Sequence, residues 1–178
     1  MKLYVTRHGQ TSFSLNKIVC GSTDCDLTEV GLKQAAELVE QVKGLGIRRV
    51  ISSPLKRAHQ TAEVVAAALA LPVEIDEYLR EQSYGGYESG SRQDQEFLEA
   101  KAQFPGWLKG GESWFRVAQR IYNFLDALKA QQGDKPVLLV AHGGVCKLIR
   151  SYFQEMSNQE FIDFEMGNCE LVCYELFQ

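Results

Sequence analysis

Short apolar runs alternate with longer amphipathic stretches along this chain, and the two periods predict strands and helices in turn. Leu3 to Val5 reads as a first strand. Thr28 then offers an N-cap to a helix whose inward stripe is Leu32, Ala35, Val39 and Val42, with Gly44 and Gly46 ending it. Val50 and Ile51 form a second strand. Ser53-Pro54 supplies a capping hydroxyl and a first-turn proline for a helix that buries Leu55, Ala58, Ala62, Val65 and Leu69. Pro72 to Asp76 alternates as a third strand, with Val73 and Ile75 on one side. Ser113 starts a helix carrying Val117, Ile121, Phe124 and Leu128 inward, which Gly133-Asp134-Lys135-Pro136 breaks. The all-apolar run Val137 to Val140 has the pattern of a strand covered on both faces, and a helix to about Phe153 follows His142-Gly143-Gly144. Glu170 to Phe177 alternates again as a closing strand.

Strands alternating with helices predict an α/β fold, a three-layer α/β/α sandwich whose central sheet is mostly parallel, with the last strand as an antiparallel edge. The 178 residues fit one domain spanning 1–178. Residues 82–112, rich in glycine and aromatics with a short helix around Gln93 to Phe104, read as a lid or insert. Its aromatics, with neighbouring Trp114 and Phe115, are expected to form a small core of their own. Arg92, Lys101 and Lys109 are expected on a solvated surface.

Composition narrows the class. A hydrophobic share of 45% and a charged share of 24% are those of an ordinary globular chain, and a net charge of -4 disfavours nucleic-acid binding. No apolar run reaches membrane-spanning length and no signal peptide precedes the first strand, so a cytoplasmic location, without membrane partners, is the expectation. Cys20, Cys25, Cys146, Cys169 and Cys173 include no CxxC pair and read as free thiols, with Cys169 and Cys173 on one face of a strand.

If the first four strands run parallel, their following residues meet at one end of the sheet, where ligands of open α/β sheets bind. Arg7 and His8 follow the first strand, Arg57 lies just after the second, Glu81 after the third and His142 after the fourth. Two imidazoles, two guanidiniums and a carboxylate are the parts for moving a phosphoryl group. His8 is the candidate nucleophile, Arg7 and Arg57 the forks gripping phosphate oxygens, His142 a stabiliser of transition-state charge and Glu81 the proton donor and acceptor. Glu77 and Glu88 compete with Glu81 for the last role. His59, two residues beyond Arg57, reads as helix surface or packing, and Gly111-Glu112-Ser113 as a capped helix start.

Arg7-His8-Gly9-Gln10-Thr11, with Gly21, Asp24, Leu27-Thr28 and Gly31 beyond it, resembles the signature of the histidine phosphatase superfamily, also called phosphoglycerate mutase-like. Ser52 to Ala62, Leu79-Arg80-Glu81, Gly111-Glu112-Ser113 and Ala141 to Val145 resemble its further blocks in order, so the likeness spans nearly the whole chain. The resemblance implies a phosphohistidine on His8, proton transfer by Glu81, a phosphate pocket of Arg7, Arg57 and His142, and substrate contacts from Gln10, Thr11, Ser14, Gly21 and Gly143. The scheme needs no metal, because the arginines neutralise the phosphate themselves, and no cofactor is expected. This chain has Ser14 where many members have asparagine, Cys20 where glutamine is common, and Gln10 where many mutases have glutamate. The expected function is a metal-independent phosphomonoesterase acting on a small phosphorylated metabolite, as a monomer or homodimer. A cofactor-dependent phosphoglycerate mutase is the alternative within the fold, disfavoured by the lack of a basic cluster after Glu81. A noncatalytic phospholigand-binding protein that keeps the pocket but has lost turnover is the alternative from another functional class.

Overall fold

The computed structural model describes residues 1–131 and 134–176. Five strands form one sheet in the order β3-β2-β4-β1-β5: β1 (Lys2–Arg7), β2 (Arg49–Ser52), β3 (Val73–Ile75), β4 (Val137–Ala141) and β5 (Leu171–Glu175). The pairs β1/β4, β4/β2 and β2/β3 are parallel, and only β1/β5 is antiparallel. The predicted mixed α/β architecture with an antiparallel edge is therefore correct. Helices are α1 (Ser12–Leu15), α2 (Glu29–Val42), α3 (Lys56–Leu69), α4 (Gln95–Lys101), α5 (Trp114–Ala130), α6 (Gly143–Phe153) and α7 (Asn158–Asp163). No helix among the described residues is long and apolar enough to cross a membrane.

Alternation along β4 divides the core. Val137, Leu139 and Ala141 face α5 and α6, where they join Val117, Ile121, Leu125 and Ile149. Leu138 and Val140 face α2 and α3, where they join Leu38, Val39, Ala62 and Val65. Every residue of β4 is buried, which is why its sequence shows no polar alternation. A third, smaller cluster of Val19, Tyr84, Phe97 and Leu108, with Tyr87 against it, gathers only part of the aromatics expected there, because Trp114 and Phe104 pack into the core on the α5 and α6 side. Trp107 and Phe115 stay outside it, at 60% and 62% exposed.

Several local expectations shift. On α2 the stripe turns by one position: Leu32 is exposed and Leu38 buried, because Gly31 occupies the inward site. A Cβ on Gly31 would sit 2.2 Å from the Gln10 carbonyl oxygen, so only glycine admits that backbone approach. Ser53 does not cap α3, which begins at Lys56 without a side-chain cap, and Leu69 is only partly buried. Ile75 is 48% exposed because β3 is an edge strand rather than an interior one. Cys169 lies ahead of β5 with φ +55 and is buried while Cys173 is exposed, so the two do not share a strand face. Gly133 and Phe177 lie outside the described residues. The helices α1 and α7, both short and box-capped, carry too few turns for a periodic signal.

Candidate active site

The carboxyl ends of the four parallel strands deliver the predicted residues to one place. His8 continues the ladder beyond β1, its N–H donating to the Ala141 carbonyl at 3.0 Å. Its own carbonyl accepts from Asn168 Nδ2 at 2.7 Å, and Gly9 N–H donates to Thr61 Oγ1 at 3.1 Å. The imidazole is therefore held by backbone fixed on both sides. Nδ1 lies 2.7 Å from the Gly9 carbonyl oxygen, an acceptor only, so Nδ1 carries the proton and Nε2 keeps its lone pair. Burial, with Arg57 and Arg7 adding to it, pushes the His8 pKa well below the ordinary value.

His142 stands behind His8, ring centroids 5.2 Å apart and planes at 59°. It is fully buried at the N-cap of α6, and Nε2 lies 2.8 Å from Ser53 Oγ. Ser53 Oγ also accepts from Leu55 N–H at 3.3 Å, and when its own hydroxyl proton goes to His142 Nε2 the imidazole proton lies on Nδ1. The serine expected to cap a helix instead holds the second imidazole. Burial, then Arg57 and His8, lowers the His142 pKa well below the ordinary value.

Arg57, 1% exposed, donates to the carbonyls of Gly21 at 2.7 Å and Thr23 at 2.8 Å. That loop is itself pinned by Glu88, whose carboxylate accepts from the amides of Gly21, Ser22, Thr23 and Tyr84 and from the hydroxyls of Ser22 and Thr23. Arg7 donates to the Met166 carbonyl at 2.8 Å. Its Nε, and His142 Nδ1, are buried with no hydrogen-bond partner among the described residues. The Arg7 guanidinium lines the cavity, so its unspent donor calls for an acceptor there; His142 does not line the cavity itself but stands against His8, which does.

Glu81 emerges as the carboxylate of the site. Its Oε1 accepts from Gln82 N–H at 2.9 Å and Oε2 from Gly144 N–H at 3.0 Å. A Cβ on Gly144 would stand 2.5 Å from Glu81 Oε1, so the second glycine of His142-Gly143-Gly144 is what lets the carboxylate reach the start of α6. Glu88 is committed to its loop, and Glu77 is exposed and paired with Arg80 at 3.2 Å, so neither competes. The backbone around Glu81 is bracketed by a pair missed in the sequence. Arg120 is bonded to both Glu112 carboxylate oxygens, at 3.1 and 3.2 Å, and donates to the carbonyls of Tyr78 and Glu81. Glu112 accepts from Ser83 N–H at 3.0 Å. Their spacing of eight residues puts a loop residue beneath a helix residue, which helical periodicity does not reveal.

Arg7, His8, Thr11, Arg57, Glu81 and Gly143 line one cavity of about 230 Å³. The other predicted contacts are elsewhere. Gln10 accepts from Thr28 Oγ1 at 2.9 Å, Ser14 exchanges hydrogen bonds with Thr11 in the α1 capping box, and Gly21 acts through its carbonyl on Arg57. The cavity is also lined by Cys20, Tyr84, Arg92, Phe97, Lys101, Trp114 and Lys147. Arg92 and Lys101 are thus not the purely solvated residues expected: Lys101 ends α4, and Arg92, ahead of that helix, is tied down by Nε–H donation to the Ile18 carbonyl at 2.9 Å. His59 is a surface residue beside Glu63, as expected, and Ser113 caps α5.

A family pattern described as histidine phosphatase superfamily (branch 1) matches residues 3–178. "Probable phosphoglycerate mutase GpmB" of Salmonella paratyphi B is 33% identical over 153 residues, covering 80% of this chain and 70% of that protein. A mycobacterial glucosyl-3-phosphoglycerate phosphatase superposes with a TM-score of 0.86 at 27% identity, covering 97% of this chain and 88% of the other. Phosphoserine phosphatase from Entamoeba histolytica, solved in complex with 3-phosphoglyceric acid, gives a TM-score of 0.84 at 27% identity, covering 97% and 89%.

Proposed function

The chain belongs to the histidine phosphatase superfamily, a family with phosphatases and mutases among its enzymes, and on that premise we propose that it is a metal-independent phosphomonoesterase working through a phosphohistidine on His8. The observation that carries this reading is the His8 ring itself. Its Nδ1–H is spent on the Gly9 carbonyl, its Nε2 is unprotonated, and it lines a cavity beside two arginines and Glu81.

In the first half-reaction Nε2 attacks phosphorus and the ester P–O bond breaks. The departing oxygen takes the electron pair and a proton from Glu81, so an alcohol leaves. In the second, Glu81 takes a proton from water as its oxygen attacks phosphorus, the P–N bond breaks, and inorganic phosphate departs with His8 restored. The unpartnered Arg7 Nε and His142 Nδ1 supply donors to oxygens that gain charge in the transition state, and Arg57 adds a fixed positive charge. The low pKa of His8 keeps the nucleophile unprotonated below pH 6.5.

The test is hydrolysis of phenyl phosphate in excess chelator, with rapid quenching of labelled substrate. An acid-labile, base-stable adduct on His8 that His8→Ala removes supports the reading. Label on Ser14 or Cys20, or complete loss of turnover to the chelator, overturns it. The name carried by the Salmonella relative favours one second reading, transfer between phosphoglycerates, which interconversion primed by a bisphosphoglycerate tests.

A further inference from the structure

The cavity that holds His8 also holds more positive charge than one phosphate needs. Arg7, Arg57, Arg92, Lys101 and Lys147 line it against only two carboxylates, Glu81 and Glu165. A phosphate dianion leaves an excess of cation. Lys101 is the clearest case: its Nζ forms no ion pair or hydrogen bond among the described residues and sits within 5.1 to 5.8 Å of the ring centroids of Tyr84, Phe97 and Trp114. Lys109, close by in sequence, shows the ordinary fate of a surface lysine, a 2.7 Å pair with Glu96. Lys147, 6% exposed, reaches the same Trp114 ring at 5.8 Å and donates to the Ile162 carbonyl at 2.7 Å, which leaves it further protons to give.

We infer that Lys101 and Lys147 form a second anion subsite, so that the substrate is a small phosphomonoester bearing a carboxylate or equivalent acid on an apolar frame. The inference rests on the phosphatase reading for the placement of the phosphate. An ammonium desolvated without a counter-ion is costly, and a substrate acid between the two lysines relieves that cost. Burial, and then Lys101, already brings the Lys147 pKa down to about 8, and burial lowers that of Lys101. Phe97, Trp114 and Phe161 supply the apolar walls. At about 230 Å³ the cavity lies below the ~300 to 1,000 Å³ usual for drug-sized ligands, so the frame is a compact one.

The probes are 4-(phosphonomethyl)benzoate and its primary amide, which are of equal shape and resist hydrolysis, titrated calorimetrically into the full chain. The acid is expected to bind about tenfold tighter than the amide, in keeping with a charge-assisted hydrogen bond. Lys101→Met should bring the two within about threefold, and Lys101→Arg should keep the preference. Equal affinities for the unaltered chain, or a preference that survives Lys101→Met combined with Lys147→Met, overturns the subsite. Phenyl phosphate hydrolysis is followed in parallel. An inert chain that still prefers the acid supports the subsite while removing the hydrolase reading.

A different observation carries a second inference. Cys20 Sγ and Cys25 Sγ are 3.6 Å apart, against roughly 2.05 Å in a disulfide, and between them lie the Gly21 and Thr23 carbonyls that hold Arg57. We propose that a peroxide oxidises this pair. The Cys25 thiolate attacks one peroxide oxygen, the O–O bond breaks and hydroxide leaves as water, giving a sulfenic acid. Cys20 sulfur then displaces its hydroxyl as a second water, so two thiols lose two electrons to one peroxide. The hydrogen bond shared by the two thiols, with Arg57 and Thr11 adding to it, lowers the Cys25 thiol and raises Cys20, which favours Cys25 as the attacking sulfur.

Hydrogen peroxide should lower the intact mass by 2 Da, with a Cys20–Cys25 link in the peptide map and phenyl phosphate turnover reduced about tenfold until dithiothreitol is added. Cys25→Ser should lose the mass change. An unchanged mass, a link between other cysteines, or full turnover by the oxidised chain overturns the proposal.

Discussion

The inner rim of the cavity and its outer wall are built in opposite ways. At the rim, Arg7, His8, Arg57 and His142 sit on the ends of strands or the first turns of helices, each anchored by a hydrogen bond to a backbone carbonyl or to Ser53, with Arg7 Nε and His142 Nδ1 left unspent. The outer wall comes from the insert and from α6, and its lysines are bordered by aromatic rings instead. A rim fixed by the sheet suits chemistry that tolerates little displacement. The insert's share of that wall, Lys101 with its aromatic neighbours, can change without disturbing the sheet, so the reaction and the substrate's far end are governed by separable parts.

The largest expected effect breaks the rim alone. His8→Ala should lower kcat/KM for every phosphomonoester by ~10⁴-fold or more, the scale for removing a covalent nucleophile, whatever acid the substrate carries. A loss that tracked the substrate's second charge would mean that the two regions are not separable. Next, Glu81→Gln should cost ~10²- to 10⁴-fold for alkyl phosphates, whose alkoxide needs a proton, and much less for 4-nitrophenyl phosphate in the first half-reaction. Equal losses for both classes would place the acid elsewhere. Arg120→Met acts one step further out: without the bracket on Tyr78 and Glu81 carbonyls, kcat for alkyl phosphates should fall about tenfold with KM little changed. As a positioning residue, Arg120 should also reproduce the leaving-group dependence of Glu81→Gln. A uniform loss with both leaving groups would mark its role as structural only.

The rim was legible in the sequence because Arg7, His8 and His142 end or directly follow an apolar run and Arg57 falls in the first helical turn after one, so strand order carries them to the sheet end. Ser53 was legible in type but not in role: a serine before proline has the form of a cap, and only the arrival of His142 from β4 shows where its hydroxyl goes. The outer wall was not legible, since Lys101 ends α4, where a lysine normally answers the helix dipole in solvent. A signal for Lys147 did exist. It falls within the buried run Val145, Cys146, Leu148 and Ile149, where a charge has to be explained. Glu112, Arg120 and Asn168 depend on contacts across 8 to 160 residues, and no local period encodes those.

The smallest effect concerns stability rather than turnover, and it separates the two regions by pH. His8 and His142 are held neutral, their pKa values well below 6.5 in the fold, first by burial and then by the arginines. Unfolding returns both to about 6.5, so below that value the unfolded chain binds more protons than the folded one. Stability is then fully present above pH 6.5 and lost as pH falls, by at most ~1.4 kcal/mol per pH unit for each histidine. The lysines of the wall act in the other range: a folded Lys147 near 8 against 10.5 unfolded costs stability up to about pH 10 and does not change between pH 5 and 6.5. Denaturant midpoints measured every half unit from pH 5 to 7.5 should rise with pH for the unaltered chain. The slope should flatten by up to about half in His142→Gln, where His8 remains as the one buried histidine, and stay unchanged in Lys101→Met. A slope indifferent to His142 would mean that the second imidazole is charged in the fold, and with it the assignment of a neutral, proton-bearing Nδ1 facing the phosphate would fall.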